Sequence, residues 1–168
     1  MTFATVVGLG LGMSGISVGL MLSYPLIYNQ TFLRSDTVSA LSKHHRLDVW
    51  SRGYEGGKAA NAPATALTAL AFFSTWAYRG RYVVANRKIN LYVVAGVFSA
   101  LVVPFTVLAI KPVNDRLYAH LANAKSTASA ADDDEVEALF AKWTRLHNVR
   151  VALSLVSMAV GFYATFGF

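Results

Sequence analysis

The chain contains no cysteine. Disulfides, thiolate nucleophiles and cysteine metal ligands are therefore excluded. Charge is scarce too: 14% of the 168 residues are Asp, Glu, Lys or Arg, against about 25% in a soluble domain. Acids are scarcer than bases, and the net charge is +6. No basic stripe interleaved with aromatics accompanies that excess, so it gives no case for nucleic acid. HExxH, GxSxG and P-loop signatures are all missing, which removes the usual marks of zinc proteases, serine hydrolases and nucleotide binding. What remains is apolar: 55% of residues are hydrophobic and the mean hydropathy is +0.43.

The apolar residues gather in four segments, at about 3–27, 60–78, 89–110 and 151–168. Each reaches or approaches the roughly 20 residues that cross about 30 Å of hydrocarbon as a helix. The expected architecture is an all-α, integral membrane four-helix bundle, a single domain over residues 1–168. The first segment lacks a basic leader and exceeds the roughly 7–15 apolar residues of a signal-peptide core, so it reads as a retained span. Gly10-Leu11-Gly12-Met13-Ser14-Gly15 matches GxGxxG. The strand and βαβ unit that a dinucleotide fingerprint needs are missing. Gly8, Gly12, Gly15 and Gly19 fall on one helix face instead, and small residues so spaced predict close helix packing in lipid.

The links differ in character. The link from Arg79 to Lys88 is short, basic and free of acids. The positive-inside rule places it in the cytoplasm with both termini, although the longer links carry more basic residues. In the first link, Val38, Leu41, His45 and Val49 recur at helical spacing, which predicts a short interfacial helix. Asn29-Gln30-Thr31 fits a glycosylation sequon but abuts the membrane. The last link contains a small polar stretch, 123–130, followed by Asp132-Asp133-Asp134-Glu135. Acids gathered in a first turn mark a helix start, and capping accounts for them without a metal. A helix from Asp134 to Phe166 would be about 48 Å long at 1.5 Å per residue, so its first turns should stand outside the bilayer.

On that helix Val136, Leu139, Phe140, Trp143, His147 and Arg150 recur every three or four residues and share a face. An apolar stripe thus runs into an imidazole and a guanidinium. Ionisable groups inside a membrane bundle are expensive and tend to be functional. Snorkelling of Arg150 and an interfacial His147 are the competing account. Pro104 and Pro112 should bend or end the third helix. Asn114 then either bonds the freed carbonyl of Leu108 or contacts a ligand. In a four-span chain the first and third links share a side, so Trp50, Tyr54, Gly57 and Lys58 lie with Asn114 and His147. Trp and Tyr there line a pocket or form an interfacial belt. His44, His45 and His120 are scattered, with no partner at ligand spacing, and no metal site is expected from them.

The pattern Trp50-x3-Tyr54-x2-Gly57, Pro104-Phe105-Thr106, Pro112-x-Asn114-x2-Leu117 and Trp143-x2-Leu146-His147-x2-Arg150 resembles the anthrone oxygenases, small membrane proteins of fungal aromatic polyketide biosynthesis. The likeness runs from about Gly8 to Gly161. It implies oxidation of an anthrone to an anthraquinone with O2 and without a flavin, haem or required metal. Under it, His147, Arg150 and Asn114 would be the catalytic residues. Trp50, Tyr54, Thr106 and Trp143 would hold a hydrophobic polycyclic aromatic substrate. The implied setting is an intracellular membrane such as the endoplasmic reticulum. Two other readings stand beside it: a non-catalytic membrane module binding a hydrophobic ligand or partner, with self-association open, and a metal-dependent membrane oxidase that would draw His44 or His45 to His120 and His147.

Overall fold

The computed structural model describes residues 2–33, 42–80, 89–124 and 133–167. The first half of the expected interfacial helix, the basic link 81–88 and most of the polar linker fall outside these. Helix α1, Phe3–Ser23, continues as a π-helical segment, Tyr24–Leu33. Helix α2 is Lys43–Gly80. Helix α3, Ile89–Phe105, passes through a π-helical turn, Thr106–Ile110, into α4, Lys111–Ala124. Helix α5 is Asp133–Phe166. The long last helix therefore begins at the acidic run, as expected from its first-turn carboxylates.

The chain runs up and down. Ser17 of α1 bonds Asn61 and Thr65 of α2, and Ser99 of α3 donates to the carbonyl of Thr65. Ser157 of α5 donates to the carbonyl of Ala95. Gly10 meets Phe72 where Ser17 meets Thr65, Phe73 meets Gly96 where Thr65 meets Ser99, and Ala95 meets Ser157 where Thr106 meets Arg150, so neighbours are antiparallel. The first and third links consequently share one end of the bundle. Three stretches, Phe3–Asn29, Ile89–Asn123 and Asp134–Phe166, are long and apolar enough to cross a membrane, and the protein is a membrane protein. The fourth expected span, 60–78, is not as apolar. It carries Thr65, Thr68 and Thr75, all buried. Thr68 and Thr75 return their hydroxyls to carbonyls one turn back, a common way to satisfy a hydroxyl inside a helix bundle.

Three sequence expectations are corrected. The glycine face of α1 is not the seam: Gly8, Gly12, Gly15 and Gly19 are exposed, and a Cβ at any of them would meet nothing within 4 Å. The packed face is instead Val7, Gly10, Ser14, Ser17, Val18 and Met21. Phe72, fully buried, inserts between Gly10 and Gly161, where a Cβ would lie 3.1 Å and 2.5 Å from its ring. The helix α1 is apolar on every side, and lipid rewards either face, so spacing alone did not select the buried one. Next, the interfacial helix and the second segment are one continuous rod, α2, with Pro63 inside it. Finally, Pro112 does not end the third rod. The π turn just before it widens the backbone by one residue per turn, and the helix resumes to Ala124.

Candidate active site

The site begins with a proline. Pro25 has no N–H, so the carbonyl of Met21, four residues back, loses its normal helical partner. Tyr24 N–H takes up part of that carbonyl, and the helix widens into its π segment. His147 Nε2 lies 2.9 Å from the same carbonyl oxygen. A carbonyl only accepts, so Nε2 carries the hydrogen. Arg150 Nη2 lies 2.9 Å from His147 Nδ1. A guanidinium only donates, so Nδ1 is the acceptor. These two bonds define a neutral imidazole with its proton on Nε2.

His147 is fully buried. Trp143 stacks on it at 5.0 Å and 11°, and Tyr24 lies 5.1 Å away on a tilted ring plane. Arg150 reaches Thr106 Oγ1 through Nη1 at 3.4 Å, and Thr106 gives its own hydroxyl to the carbonyl of Val102. Arg150 Nε has no partner. Among the described residues no carboxylate pairs with Arg150; its hydrogen bonds go to His147 and Thr106. A cation is thus held inside the bundle without a counter-anion, an arrangement that favours an incoming negative charge.

Beside this pair opens a cavity of about 390 Å³, within the range of small-molecule sites. Its walls come from all four rods. Met21, Tyr24 and Tyr28 lie on one side, Tyr54, Asn61 and Thr65 on another. Val102, Thr106 and Val107 form a third, and Trp143, His147 and Arg150 complete it. Both π segments contribute, which accords with the tendency of such irregular turns to sit at functional sites. Tyr24 and Tyr28 donate their hydroxyls to the carbonyls of Gly53 and Val49. Their rings lie against Gly57 and Gly53, where a side chain would collide with them. At the rim, Lys58 lies 5.5 Å from the ring centre of Tyr54 and pairs with Glu55. That lysine, aided by a hydrogen bond from Tyr118, holds the Glu55 carboxyl below its ordinary range.

Of the residues singled out from the sequence, Tyr54, Thr106, Trp143, His147 and Arg150 line this one cavity. Two do not. Trp50 is fully buried behind it, stacked on Tyr54 at 5.8 Å and edge-on to Trp143 at 6.3 Å. It supports the wall rather than forming it. Asn114 is buried, but it is outside the cavity lining, and neither of its side-chain polar atoms has a partner. It therefore does not bond the carbonyl of Leu108; on α4 it falls between Val113 and Leu117, both members of the buried cluster that holds Trp50 and Trp143. The sequon asparagine, Asn29, is buried and donates to Thr144. His120 lies 3.5 Å from Glu135, and the rings of His44 and His45 are 6.1 Å apart. Neither His44 nor His45 joins His120 and His147: among the described residues no three potential metal ligands come together.

Residues missed from the sequence are Met21, Tyr24, Tyr28, Asn61 and Thr65. Pro25 was the available signal for the first three, since a proline inside an apolar span must free a carbonyl. Asn61 was visible as a polar residue near the start of a span, but nothing local paired it with Ser17.

The fold and this aromatic, cation-bearing cavity define a membrane protein built as a helical bundle with a cavity between its rods. The chain belongs to the anthrone oxygenase family, whose profile matches residues 50–160. An anthrone oxygenase from Cryptosporiopsis sp. (strain 8999), dmxR16, is 27% identical over 150 residues, covering 89% of this chain and 80% of that protein. An anthrone oxygenase of Claviceps purpurea (strain 20.1) is 36% identical over 69 residues, 40% of each chain. No solved structure matches.

Proposed function

We propose that this protein oxidises an anthrone to the corresponding anthraquinone with O2 as co-substrate and with no metal or organic cofactor. The observation that carries the reading is the half-buried Arg150, which has no carboxylate partner among the described residues and sits against His147 in a cavity walled by Tyr24, Tyr54 and Trp143. The family relatives support the substrate class.

An anthrone carries a methylene whose deprotonation gives an aromatic anthrolate. His147 accepts that proton at Nδ1 as Arg150 turns from the imidazole to the oxygen species forming beside it. The bond from Nε2 to the Met21 carbonyl steadies the resulting imidazolium. The anthrolate passes one electron to O2, and the radical and superoxide combine to form a C–O bond. The peroxide takes a proton, the second methylene hydrogen leaves as a proton, and the O–O bond breaks with release of water. One anthrone and one O2 give one anthraquinone and one water. The aromatic walls exclude bulk water and clasp the flat polycycle. Both the polycycle and O2 dissolve in lipid and arrive through the bilayer.

In this reading Trp143, Tyr54 and Thr106 contact substrate, while Trp50, expected to share that task, and Asn114, expected to be catalytic, do not. The protein lies in an intracellular membrane such as the endoplasmic reticulum, with cytoplasmic termini. It needs no nucleic-acid partner, and self-association remains compatible with its exposed apolar faces. The test is turnover of anthrone by purified protein in detergent, in air and under argon. Quinone absorbance should rise well above spontaneous autoxidation in air only, with one O2 consumed per quinone. Quinone formation no faster than in protein-free buffer would end the proposal. Stoichiometric iron, copper or zinc whose removal abolishes turnover would return the metal-dependent reading.

A further inference from the structure

The cavity has two polar poles, and the inference drawn from them rests on the reaction proposed above. One pole is His147, Arg150 and Thr106. The other is Asn61 and Thr65 on α2. Ser17 donates to Asn61 Oδ1 at 2.9 Å and lies 3.0 Å from Thr65 Oγ1. With Oδ1 engaged by Ser17, the two N–H groups of Asn61, a residue of the cavity lining, remain to donate. Ser17 sits one helical turn before Met21, whose carbonyl holds His147. The poles are therefore offset by about 6 Å along α1, with the width of the cavity added.

That offset matters because the anthrolate charge does not stay on the carbon that loses the proton. When the C–H bond breaks and Nδ1 takes the proton, the electron pair delocalises across the central ring to its oxygen. That oxygen is about 4 Å from the methylene carbon, a ring width plus a C=O bond of about 1.23 Å. A donor bonded to the base, such as Arg150, sits at the wrong end of this axis. Superoxide and peroxide, by contrast, form at the methylene carbon, beside Arg150.

We propose that Asn61 is the oxyanion-binding residue: its Nδ2–H donates to the anthrolate oxygen, while Arg150 holds the reduced dioxygen at the other end of the ring. Ser17 acts as a positioning residue that turns the amide so that nitrogen faces the substrate. The substrate is then an anthrone whose ring oxygen is free, because an O-alkylated anthrol offers neither the charge nor the acceptor geometry.

The experiment compares Asn61→Ala and Asn61→Asp with the parent, using anthrone and a more acidic anthrone bearing an electron-withdrawing substituent. Gel filtration and thermal melting establish matched folding. Should the alanine variant fail to fold, Asn61→Asp keeps the acceptor for Ser17 and carries the test alone. Loss of one oxyanion donor typically lowers turnover by about 10²–10³-fold, and that drop is expected in kcat/KM for Asn61→Ala, with Asn61→Asp at least as impaired. The loss should shrink for the acidic anthrone, whose anion needs less help. A merely structural role would depress both substrates equally, and that result overturns the inference, as does parental kcat/KM in a folded variant. Absence of catalysis in the parent would instead overturn the underlying reading.

Discussion

His147 Nε2 meets the carbonyl oxygen of Met21 at 2.9 Å, joining two residues 126 positions apart. The contact exists because Pro25 cannot supply the N–H that this carbonyl would receive in a regular helix. One imino acid in the first rod therefore decides the tautomer of an imidazole in the last. It leaves Nδ1 as the basic nitrogen, aimed at Arg150 and the cavity.

Replacing that imidazole separates its two tasks. His147→Gln keeps an N–H for the Met21 carbonyl but has no proton-accepting nitrogen. It should melt near the parent temperature and lose about 10²–10⁴-fold in turnover, the usual contribution of a positioned general base. His147→Ala should lose both stability and rate. Asn148→Ala, at an exposed neighbour, should remain near parental. Quinone formation at matched folded fraction is the measurement, and an active His147→Gln protein would remove His147 as the base.

Arg150→Met retains the apolar stem and deletes the guanidinium. Hydrogen bonds to charged groups contribute about 1.5–3 kcal/mol, so kcat/KM should fall by about 10–200-fold. Thermal stability should hold or rise, because a half-buried cation with no carboxylate partner among the described residues is removed. A lower melting temperature with unchanged turnover would assign Arg150 to structure alone.

Asn114 offers the opposite outcome. Its buried side chain makes no hydrogen bond, and an apolar replacement of similar size leaves nothing unsatisfied. Asn114→Leu should retain turnover and melt no lower than the parent. A large loss of kcat with normal folding would restore the catalytic role first expected for this residue.

Glycines on the two faces of the bundle should respond differently. A methyl at Gly57 would meet the hydroxyl and ring of Tyr24, and overpacking typically costs about 1–3 kcal/mol. Gly57→Ala should lower the melting temperature in detergent and impair turnover together. Gly15→Leu adds a side chain to open space, and such surface changes usually stay within about 0.5 kcal/mol. If Gly15→Leu instead changes the apparent size on gel filtration, that face packs against a second copy.

Much of this protein was legible locally. Apolar runs of membrane length dictated helices, because lipid leaves backbone groups no other partner. The acidic run marked the start of α5, since carboxylates favour a helix N-terminus. Trp143, His147 and Arg150 fell together because residues three and four apart share a helix face. What only the tertiary structure decided was non-local. In a helix apolar all round, periodicity carries no record of which face meets protein and which meets lipid, so Gly10 packs while Gly15 does not. The bond from His147 to Met21 and that from Ser17 to Asn61 join residues whose separation no spacing rule spans. Trp50 and Asn114 lie on the same end as the cavity, as chain topology required, yet neither lines it. Topology assigns an end of the bundle, and only side-chain packing between rods assigns depth.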